Sequence, residues 1–198
     1  MSKTIDFIFD FASPNAYLAH RALQPVLERT GAVLNIKPCL LGGIFKSTGN
    51  QAPMITYGSV KGKPEYERVE FSRFLKKHQL KQFHFNSHFP VNTLIMMRGA
   101  IAAEQDGMLE RYVEAGLSHM WEKGLKMDDP QVYATAMSEA GFDGEDLLKR
   151  TQDQSVKDQL ASNTADAVER GAFGIPTFHV GDEMFFGKDR IRDMEEYL

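Results

Sequence analysis

Residues 5–19 of this 198-residue chain read IDFIFDFASPNAYLA and place a strand, a break and a helix in immediate succession. Three phenylalanines alternate with other side chains in a β-branched and aromatic run, which is typical of a strand. Ser13-Pro14 then interrupts the run. Serine is a preferred helix N-cap, and proline at the first helical position loses no hydrogen bond. The stretch therefore predicts a strand that passes directly into a helix over about residues 14–30.

The turn at Ser13 is the first candidate site. It puts a hydroxyl at the carboxyl end of a strand and at the amino end of a helix. Free backbone N–H groups and the positive end of the helix dipole meet there and favour an anion. A serine-proline pair before an amphipathic helix is more often only a cap. The sequence around Ser13 therefore leaves two interpretations, a plain cap and an anion-binding serine.

Composition and charge narrow the class of protein. The chain has 42% hydrophobic residues, a net charge of −4 and a single cysteine. An acidic balance without a basic cluster argues against nucleic acid as a partner, and no apolar run reaches the ~18 residues that span a membrane. The amino terminus shows no cleavable leader, and one cysteine permits no internal disulfide. We therefore expect a cytoplasmic protein with no nucleic-acid or membrane partner.

The order of predicted elements indicates an α/β core that is interrupted by helices. A second strand over residues 32–37 follows the first helix, so the two strands should be parallel. A loop rich in glycine and proline is predicted over residues 40–63, and helical patterns follow for about a hundred residues. A hairpin over residues 177–186 and a helix over residues 189–198 close the chain.

The predicted strands lie only in the outer parts of the chain, so only these parts need to join into one sheet. We expect residues 1–54 and 156–198 to form a discontinuous α/β domain. Residues 55–155 would then form an inserted helical domain that packs as a lid over the edge of the sheet.

The segment GAFGIPTF at residues 171–178 is the second landmark. Its proline lies just before a strand and behind a glycine-flanked turn, which makes it a candidate for a cis peptide bond, although base rates favour trans. At this point the layout resembles the thioredoxin fold, in which a cis-proline loop faces the amino end of the first helix. The resemblance implies that the residue before the proline pairs through its backbone with an extended thiol ligand.

Within that fold the sequence resembles the bacterial 2-hydroxychromene-2-carboxylate isomerases, relatives of kappa-class glutathione transferases and of DsbA-like oxidoreductases. Ser13-Pro14 replaces a redox Cys-x-x-Cys pair, and a helical domain is inserted. The other segments that resemble this family are LGGIFKSTGN at 41–50, FPVNT at 89–93 with Arg98, GIPTF at 174–178 and FGKDR at 186–190. The resemblance covers essentially the whole chain, and the motifs occur in the right order.

The resemblance implies a glutathione-dependent enzyme. In that family the serine that matches Ser13 lies beside the glutathione sulfur, and it is the catalytic residue. The residue that matches Ile175, held by Pro176, pairs with the cysteinyl backbone. The other positions that hold the tripeptide are matched by Asn50, Lys63, Lys188 and Asp189. Of these, Lys188 and Asp189 match the positions at its γ-glutamyl end. The family also implies a homodimer that acts on a small aromatic substrate.

A bound thiol needs help to act as a nucleophile at neutral pH. A free thiol has a pKa near ~8.5, and lowering it to ~6.5 requires about 2.7 kcal/mol of preference for the thiolate. A helix amino end contributes ~0.3–1 kcal/mol and at best ~2 kcal/mol, whereas a hydrogen bond to a charged group contributes about 1.5–3 kcal/mol. Because the two effects together suffice, we predict that Ser13 donates to the sulfur at the amino end of its helix.

Three further residues are candidates for contact with the second substrate: Asn15, Asn92 and Arg98. Asn15 stands where the family commonly has an aromatic residue, just as Phe186 stands where tryptophan is common. Asn92 and Arg98 are candidates for holding a carboxylate, because arginine presents a fork of donors. The alternative for both is a solvated helix face.

Two other groups of side chains are predicted to have no role in chemistry. His84 and His88 lie in a stretch that favours a loop, and no third ligand is evident, so we expect no metal site. Cys39 ends the second strand and is predicted to be a packed side chain rather than a reactive thiol.

Several functions are compatible with these residues. The first is a glutathione-dependent cis-trans isomerase of aromatic catabolism, in which reversible addition of the thiolate lets a conjugated double bond rotate. The second is a kappa-like glutathione transferase or peroxidase that acts on other electrophiles. A non-catalytic thioredoxin-fold binding module is the third. A DsbA-type thiol oxidoreductase is disfavoured, because the chain has no cysteine pair.

Overall fold

A computed structural model describes residues 3–198 and begins with the predicted strand-turn-helix unit. Strand β1 (Thr4–Phe9) leads through residues 10–13, here called the serine turn, into helix α1 (Pro14–Thr30), and strand β2 (Val33–Pro38) follows. β1 and β2 are parallel. Ser13 is the N-cap of α1, and its Oγ accepts a hydrogen bond from the Ala16 N–H at 3.3 Å. The predicted β-α-β unit is therefore confirmed.

Helices fill the middle of the chain, as the sequence predicts. In order they are α2 (Leu41–Thr48), α3 (Pro53–Tyr57), α4 (Lys63–Lys77), α5 (Leu94–Gln105), α6 (Leu109–Trp121), α7 (Pro130–Glu139), α8 (Gly144–Arg150) and α9 (Gln154–Glu169). Within residues 3–198, no helix is both long and apolar enough to cross a membrane.

The segment 40–63 is not the loop that its glycines predict, because it contains α2 and α3. Ile44 in α2 is fully buried, so this short helix is held by packing rather than by helix propensity. Gly43 permits a close approach to α9, since a Cβ atom there would lie 3.0 Å from Cγ2 of Thr164. Gly43 therefore serves helix packing, which the sequence pattern alone does not reveal.

The chain returns to the sheet at its carboxyl end. Strands β3 (Thr177–Val180) and β4 (Glu183–Phe186) form the predicted hairpin, and the order across the sheet is β2-β1-β3-β4. β3 runs antiparallel to both β1 and β4. The predicted last helix over residues 189–198 is wrong in extent, because a 3-10 turn (Lys188–Arg190) precedes a short helix α10 (Ile191–Glu195).

The serine turn lies inside a core that joins the sheet to the inserted helices. Phe11 is fully buried, and its ring packs so closely on α6 that a Cβ atom at Gly116 would lie 2.4 Å away. The indole N–H of Trp121, also in α6, donates to the Phe11 carbonyl at 2.9 Å. An α/β core with a helical insertion is thus confirmed, whereas the borders at residues 54–55 and 155–156 stay a prediction.

Candidate active site

The two sequence landmarks meet at the amino end of α1. The Ile175-Pro176 peptide bond is cis, as the sequence predicts. The Ser13 hydroxyl donates to the Ile175 carbonyl at 3.0 Å, although the two residues are 162 positions apart in the chain. The site is therefore built by the joining of the first and last parts of the α/β core.

The hydroxyl of Ser13 has a restricted environment. Ser13 is only 5% exposed, and its Oγ already accepts the Ala16 N–H as the helix cap. Its single proton is directed to the Ile175 carbonyl. Among residues 3–198, none accepts a hydrogen bond from the Ile175 N–H. The site therefore presents one hydroxyl, one carbonyl and one backbone N–H within a small volume.

Residues 173–176, here called the cis-proline loop, are attached on both sides. The Asn50 Nδ2 donates to the Phe173 carbonyl at 2.7 Å, and the Asn50 Oδ1 accepts the Gln51 N–H at 2.8 Å. On the other side, the Gly187 N–H donates to the Pro176 carbonyl at 2.9 Å. The structure thus brings together Asn50, the loop and the start of the Lys188-Asp189 pair.

Lys188 and Asp189 follow directly after this contact. The Lys188 Nζ lies 2.6 and 2.8 Å from the two carboxylate oxygens of Asp189, and it lies 4.7 Å from the ring centroid of Phe74 in α4. Lys188 is buried and Asp189 is exposed. The pair therefore presents a carboxylate to solvent with a buried ammonium behind it.

Lys63 lies at the first position of α4 and differs from the other predicted residues. Its Nζ is 3.9 Å from a carboxylate oxygen of Glu67 and 4.4 Å from the ring centroid of Tyr57. Neither contact joins Lys63 to Ser13 or to the cis-proline loop. A role for Lys63 in binding the tripeptide stays a prediction.

The three residues predicted for the second substrate are in different settings. Asn15 lies in the first turn of α1 and is half-buried. Asn92 uses its Oδ1 to accept the Leu94 N–H at 3.0 Å, at the start of α5. Arg98 is half-buried on α5, and its Nε is buried without a hydrogen-bond partner in the described part of the chain. Contact of these residues with a substrate stays a prediction.

Asp10 is a buried group that the sequence analysis missed. It is 1% exposed, and burial raises its pKa to about 6, although hydrogen bonds from Ala12, Thr93 and Leu41 lower it. The signal in the sequence was an acidic residue between Phe9 and Phe11, in a run that is otherwise apolar. A buried carboxylate three residues before Ser13 belongs to the site.

The cysteine and the histidine pair lie apart from this chemistry. The Cys39 Sγ donates to the Asn163 carbonyl at 3.3 Å, and burial, followed by the nearby Asp10 charge, raises the pKa of the thiol to about 12. A packed and unreactive thiol is consistent with these values. The His84 Nδ1 lies 2.8 Å from the Gln82 carbonyl oxygen. Residues 3–198 contain no cluster of three or more potential metal ligands.

Comparisons with known proteins agree with this geometry. The model of the DSBA-like thioredoxin domain matches residues 4–198. A 2-hydroxychromene-2-carboxylate isomerase of Sphingobium xenophagum is 28% identical over 198 residues, which cover 100% of this chain and 99% of the relative.

Two further similarities come from a human protein and from a solved structure. Glutathione S-transferase kappa 1 of Homo sapiens is 28% identical over 216 residues, with 100% of this chain and 92% of the relative covered. A solved 2-hydroxychromene-2-carboxylate isomerase superposes with a TM-score of 0.83 at 25% identity, covering 98% of this chain and 93% of that structure. The chain therefore belongs to the DSBA-like thioredoxin domain family.

Proposed function

We propose that this protein is a glutathione-dependent isomerase of the 2-hydroxychromene-2-carboxylate type, with Ser13 as its catalytic residue. The observation that carries the proposal is the contact between the Ser13 hydroxyl and the Ile175 carbonyl beside a cis-proline. Relatives that bear the names of this isomerase and of kappa glutathione transferases support the reaction class.

The groups around Ser13 fit a cysteine-containing peptide. The Ile175 carbonyl and N–H can pair with an extended backbone as an added strand does. The Asp189 carboxylate is exposed and suits an ammonium group. When bound, glutathione supplies a thiolate that adds to an electrophilic carbon. The residues present therefore fit the tripeptide by their hydrogen-bonding capacity.

The Ser13 hydroxyl would change its acceptor when the peptide binds. In the structure the Ile175 carbonyl accepts the Ser13 proton at 3.0 Å. A peptide N–H that pairs with this carbonyl would replace that donor, and Ser13 could then donate to a neighbouring sulfur. Its Oγ would keep accepting the Ala16 N–H and would stay at the amino end of α1. Both the dipole and the hydroxyl would then favour the thiolate.

Two aromatic side chains support an aromatic second substrate. The rings of Phe173 and Phe186 lie 4.5 Å apart between their centroids, and both side chains are partly exposed next to the cis-proline loop. A Cβ atom at Gly174 would come within 2.9 Å of the Phe186 ring, so glycine keeps this pair against the loop. An exposed aromatic pair offers a flat apolar surface for an aromatic ring.

A kappa-like transferase or peroxidase is the second candidate. The kappa relative matches with the same coverage of this chain as the isomerase. Both reactions begin with the same nucleophile, so Ser13 and the cis-proline loop would act identically. The two reactions differ in the electrophile that the surface formed by Phe173 and Phe186 admits.

The experiment that tests the proposal starts with calorimetry of glutathione binding to the wild-type protein. Ultraviolet titration of the bound thiol then compares wild type with Ser13→Ala and with the control Ser72→Ala. Ser72 is an exposed serine whose hydroxyl also donates to a backbone carbonyl. We expect the pKa of the bound thiol to rise by about 1–2 in Ser13→Ala only, which corresponds to one hydrogen bond to a charged group.

The outcomes separate the candidate functions. Isomerisation of 2-hydroxychromene-2-carboxylate supports the proposal, whereas conjugation of a chlorinated nitroaromatic without isomerisation selects the transferase. Binding of glutathione without either reaction leaves a binding module. Absence of glutathione binding would refute the isomerase and the transferase and leave only the non-catalytic binding module. An unchanged pKa in Ser13→Ala would remove Ser13 from the mechanism.

A homodimer and a cytoplasmic location are part of the same proposal. The dimer rests on the family resemblance, and the location rests on the single cysteine. Analytical ultracentrifugation of the purified chain tests the dimer, and fractionation of cells that express it tests the location. A monomer at micromolar concentration would contradict the first of these expectations.

A further inference from the structure

The amino ends of three helices meet at the Asp10 carboxylate. Its Oδ1 accepts the Ala12 N–H at 2.9 Å, just before α1, and the Thr93 hydroxyl at 2.6 Å. Its Oδ2 accepts the N–H of Leu41, the first residue of α2, at 2.8 Å. Thr93 is the N-cap residue of α5. One buried side chain therefore joins the segments that follow β1 and β2 to the start of α5, a helix of the predicted insertion.

Asp10 fulfils a capping function that α2 does not fulfil itself, and it also holds the residue that precedes α5. The N-cap residue of α2 is Leu40, which has no side-chain acceptor, so Asp10 accepts the first N–H of that helix instead. Thr93, the N-cap residue of α5, makes no side-chain capping bond to its own helix and donates its hydroxyl proton to Asp10. The Asn92 Oδ1 accepts the N–H of Leu94, the first residue of α5. The positive ends of the helix dipoles favour a carboxylate at this position.

We propose that Asp10 is the positioning residue of this site, whose carboxylate sets the serine turn, α2 and α5 in one arrangement so that Ser13 and Asn50 reach the cis-proline loop together. The inference rests on the proposed function, since it concerns the geometry that receives glutathione. Asp10 acts through Ser13 and Asn50 and makes no contact with the substrate.

The path from Asp10 to the loop has two branches. Through the Ala12 N–H it holds the serine turn, whose Ser13 hydroxyl contacts Ile175. Through the Leu41 N–H it holds the start of α2, a helix of eight residues that ends two residues before Asn50. Asn50 contacts Phe173 in the same loop. A shift of Asp10 therefore changes two of the contacts that define the site.

The surroundings of Asp10 require a side chain with two acceptor oxygens. Its partners on the serine turn, α2 and α5 are neutral N–H and hydroxyl donors. The ionisable group that directly follows β2 and senses the charge of Asp10 is the buried thiol of Cys39. An asparagine could keep the two donors on one oxygen, but it would turn an NH₂ group toward the Leu41 N–H. Asp10→Asn therefore breaks the link to α2 in particular.

Asp10→Asn should lose function without losing stability. Burial opposes the ionised form of Asp10 and raises its pKa to about 6, so removal of the charge offsets the lost hydrogen bond above that pH. A residue that only supports the fold would lower the melting temperature and the glutathione affinity in parallel. A positioning residue lowers the affinity while the melting temperature at pH 8 stays at or above that of the wild type.

The test measures glutathione dissociation constants, melting temperatures and tryptophan emission for Asp10→Asn, Thr93→Val and Thr93→Ser. Thr151→Val is the matched control, because Thr151 is fully buried and its hydroxyl donates to the Leu148 carbonyl at 2.7 Å. We expect the dissociation constant to rise about tenfold in Asp10→Asn and at least about threefold in Thr93→Val, as the loss of one hydrogen bond predicts. Thr93→Ser and Thr151→Val should stay within about twofold of the wild type.

Trp121 supplies a readout that does not depend on glutathione. It is the only tryptophan of the chain, and its indole donates to the Phe11 carbonyl in the serine turn. Its emission should shift in Asp10→Asn and Thr93→Val but not in the other two variants. If the wild type does not bind glutathione, the proposed function fails while this shift still decides the role of Asp10. Unchanged emission and affinity in Asp10→Asn and Thr93→Val would overturn the inference.

Discussion

Two segments differ sharply in burial: the serine turn, which precedes Asn50 in the chain, and residues 53–60, which follow it and contain α3. Asp10 and Phe11 in the turn are inaccessible to solvent, whereas α3 contains no buried residue, and Ile55 is 67% exposed. In the proposed function the turn would hold a hydroxyl that acts on a sulfur, and such a group requires a fixed position. Because none of its residues is buried, α3 contributes little to the core that fixes the turn.

The serine turn is the rigid part of this site. The turn is held by side chains from α5 and α6 and by its own carboxylate. Its donor and acceptor are therefore oriented before any ligand arrives, which lowers the cost of binding. Apolar side chains at the surface of α3 suit the contact with a ligand or partner better than they suit water.

The largest expected effect contrasts Phe11→Ala with Ile55→Ala. Phe11 fills the space against α6, so its truncation should lower the free energy of unfolding by about 3–5 kcal/mol. Ile55 is exposed, and its truncation should change that free energy by less than about 0.5 kcal/mol. Urea denaturation followed by circular dichroism measures both. Equal losses would show that the two regions do not differ in rigidity.

The second prediction concerns pH. Because the pKa of Asp10 rises from 3.8 to about 6 on folding, its protonation stabilises the folded state. This stabilisation is complete below pH 3.8 and is lost as the pH rises through about 6, which amounts to about 3 kcal/mol in total and roughly 1 kcal/mol between pH 5 and pH 8. Wild type should therefore lose stability relative to Asp10→Asn over that range. A constant difference between the two proteins in urea titrations would contradict it.

Substitutions at two glycines, Gly116 in α6 and Gly42 in α2, should change the stability of the protein in opposite directions and by intermediate amounts. Gly116→Ala would force a Cβ atom into the Phe11 ring, which lies 2.4 Å from that position, and should destabilise the protein by about 1–3 kcal/mol. Gly42→Ala in α2 meets no atom within 4 Å and should stabilise it by about 0.5–1 kcal/mol, because glycine is a poor helix former. Thermal melts of both variants would measure these opposite signs. A Gly116→Ala variant as stable as the wild type would count against the close packing of α6 on the turn.

The smallest expected effect is at Asn50, where the buried and the exposed regions meet. Asn50→Ala removes the 2.7 Å hydrogen bond to Phe173, so the glutathione dissociation constant should rise by about two- to tenfold, equivalent to about 0.5–1.5 kcal/mol. The neighbouring variant Gln51→Ala serves as the control and should bind as the wild type does. Calorimetry measures both, and equal affinities of the two variants would show that Asn50 does not shape the loop.

Sequence reasoning succeeded where local chemistry dictates structure. A serine followed by a proline predicts a helix start. The glycine-flanked proline before a strand is only a candidate for a cis bond, and the resemblance to the thioredoxin fold is what implies the cis bond at Ile175-Pro176. Sequence reasoning failed at α2, whose Gly42 and Gly43 favour a loop. It also did not predict the second cis bond, at Phe89-Pro90.

The amino-acid sequence by itself determined the strand-turn-helix unit at Ser13, the helical middle of the chain and the family, because each depends on short-range pattern or on the order of segments. Only the tertiary structure decided that Ser13 meets Ile175 at 3.0 Å and that Asp10 joins three helix ends. Contacts between residues far apart in the chain depend on the packing of whole elements. Periodicity within one segment carries no information about them.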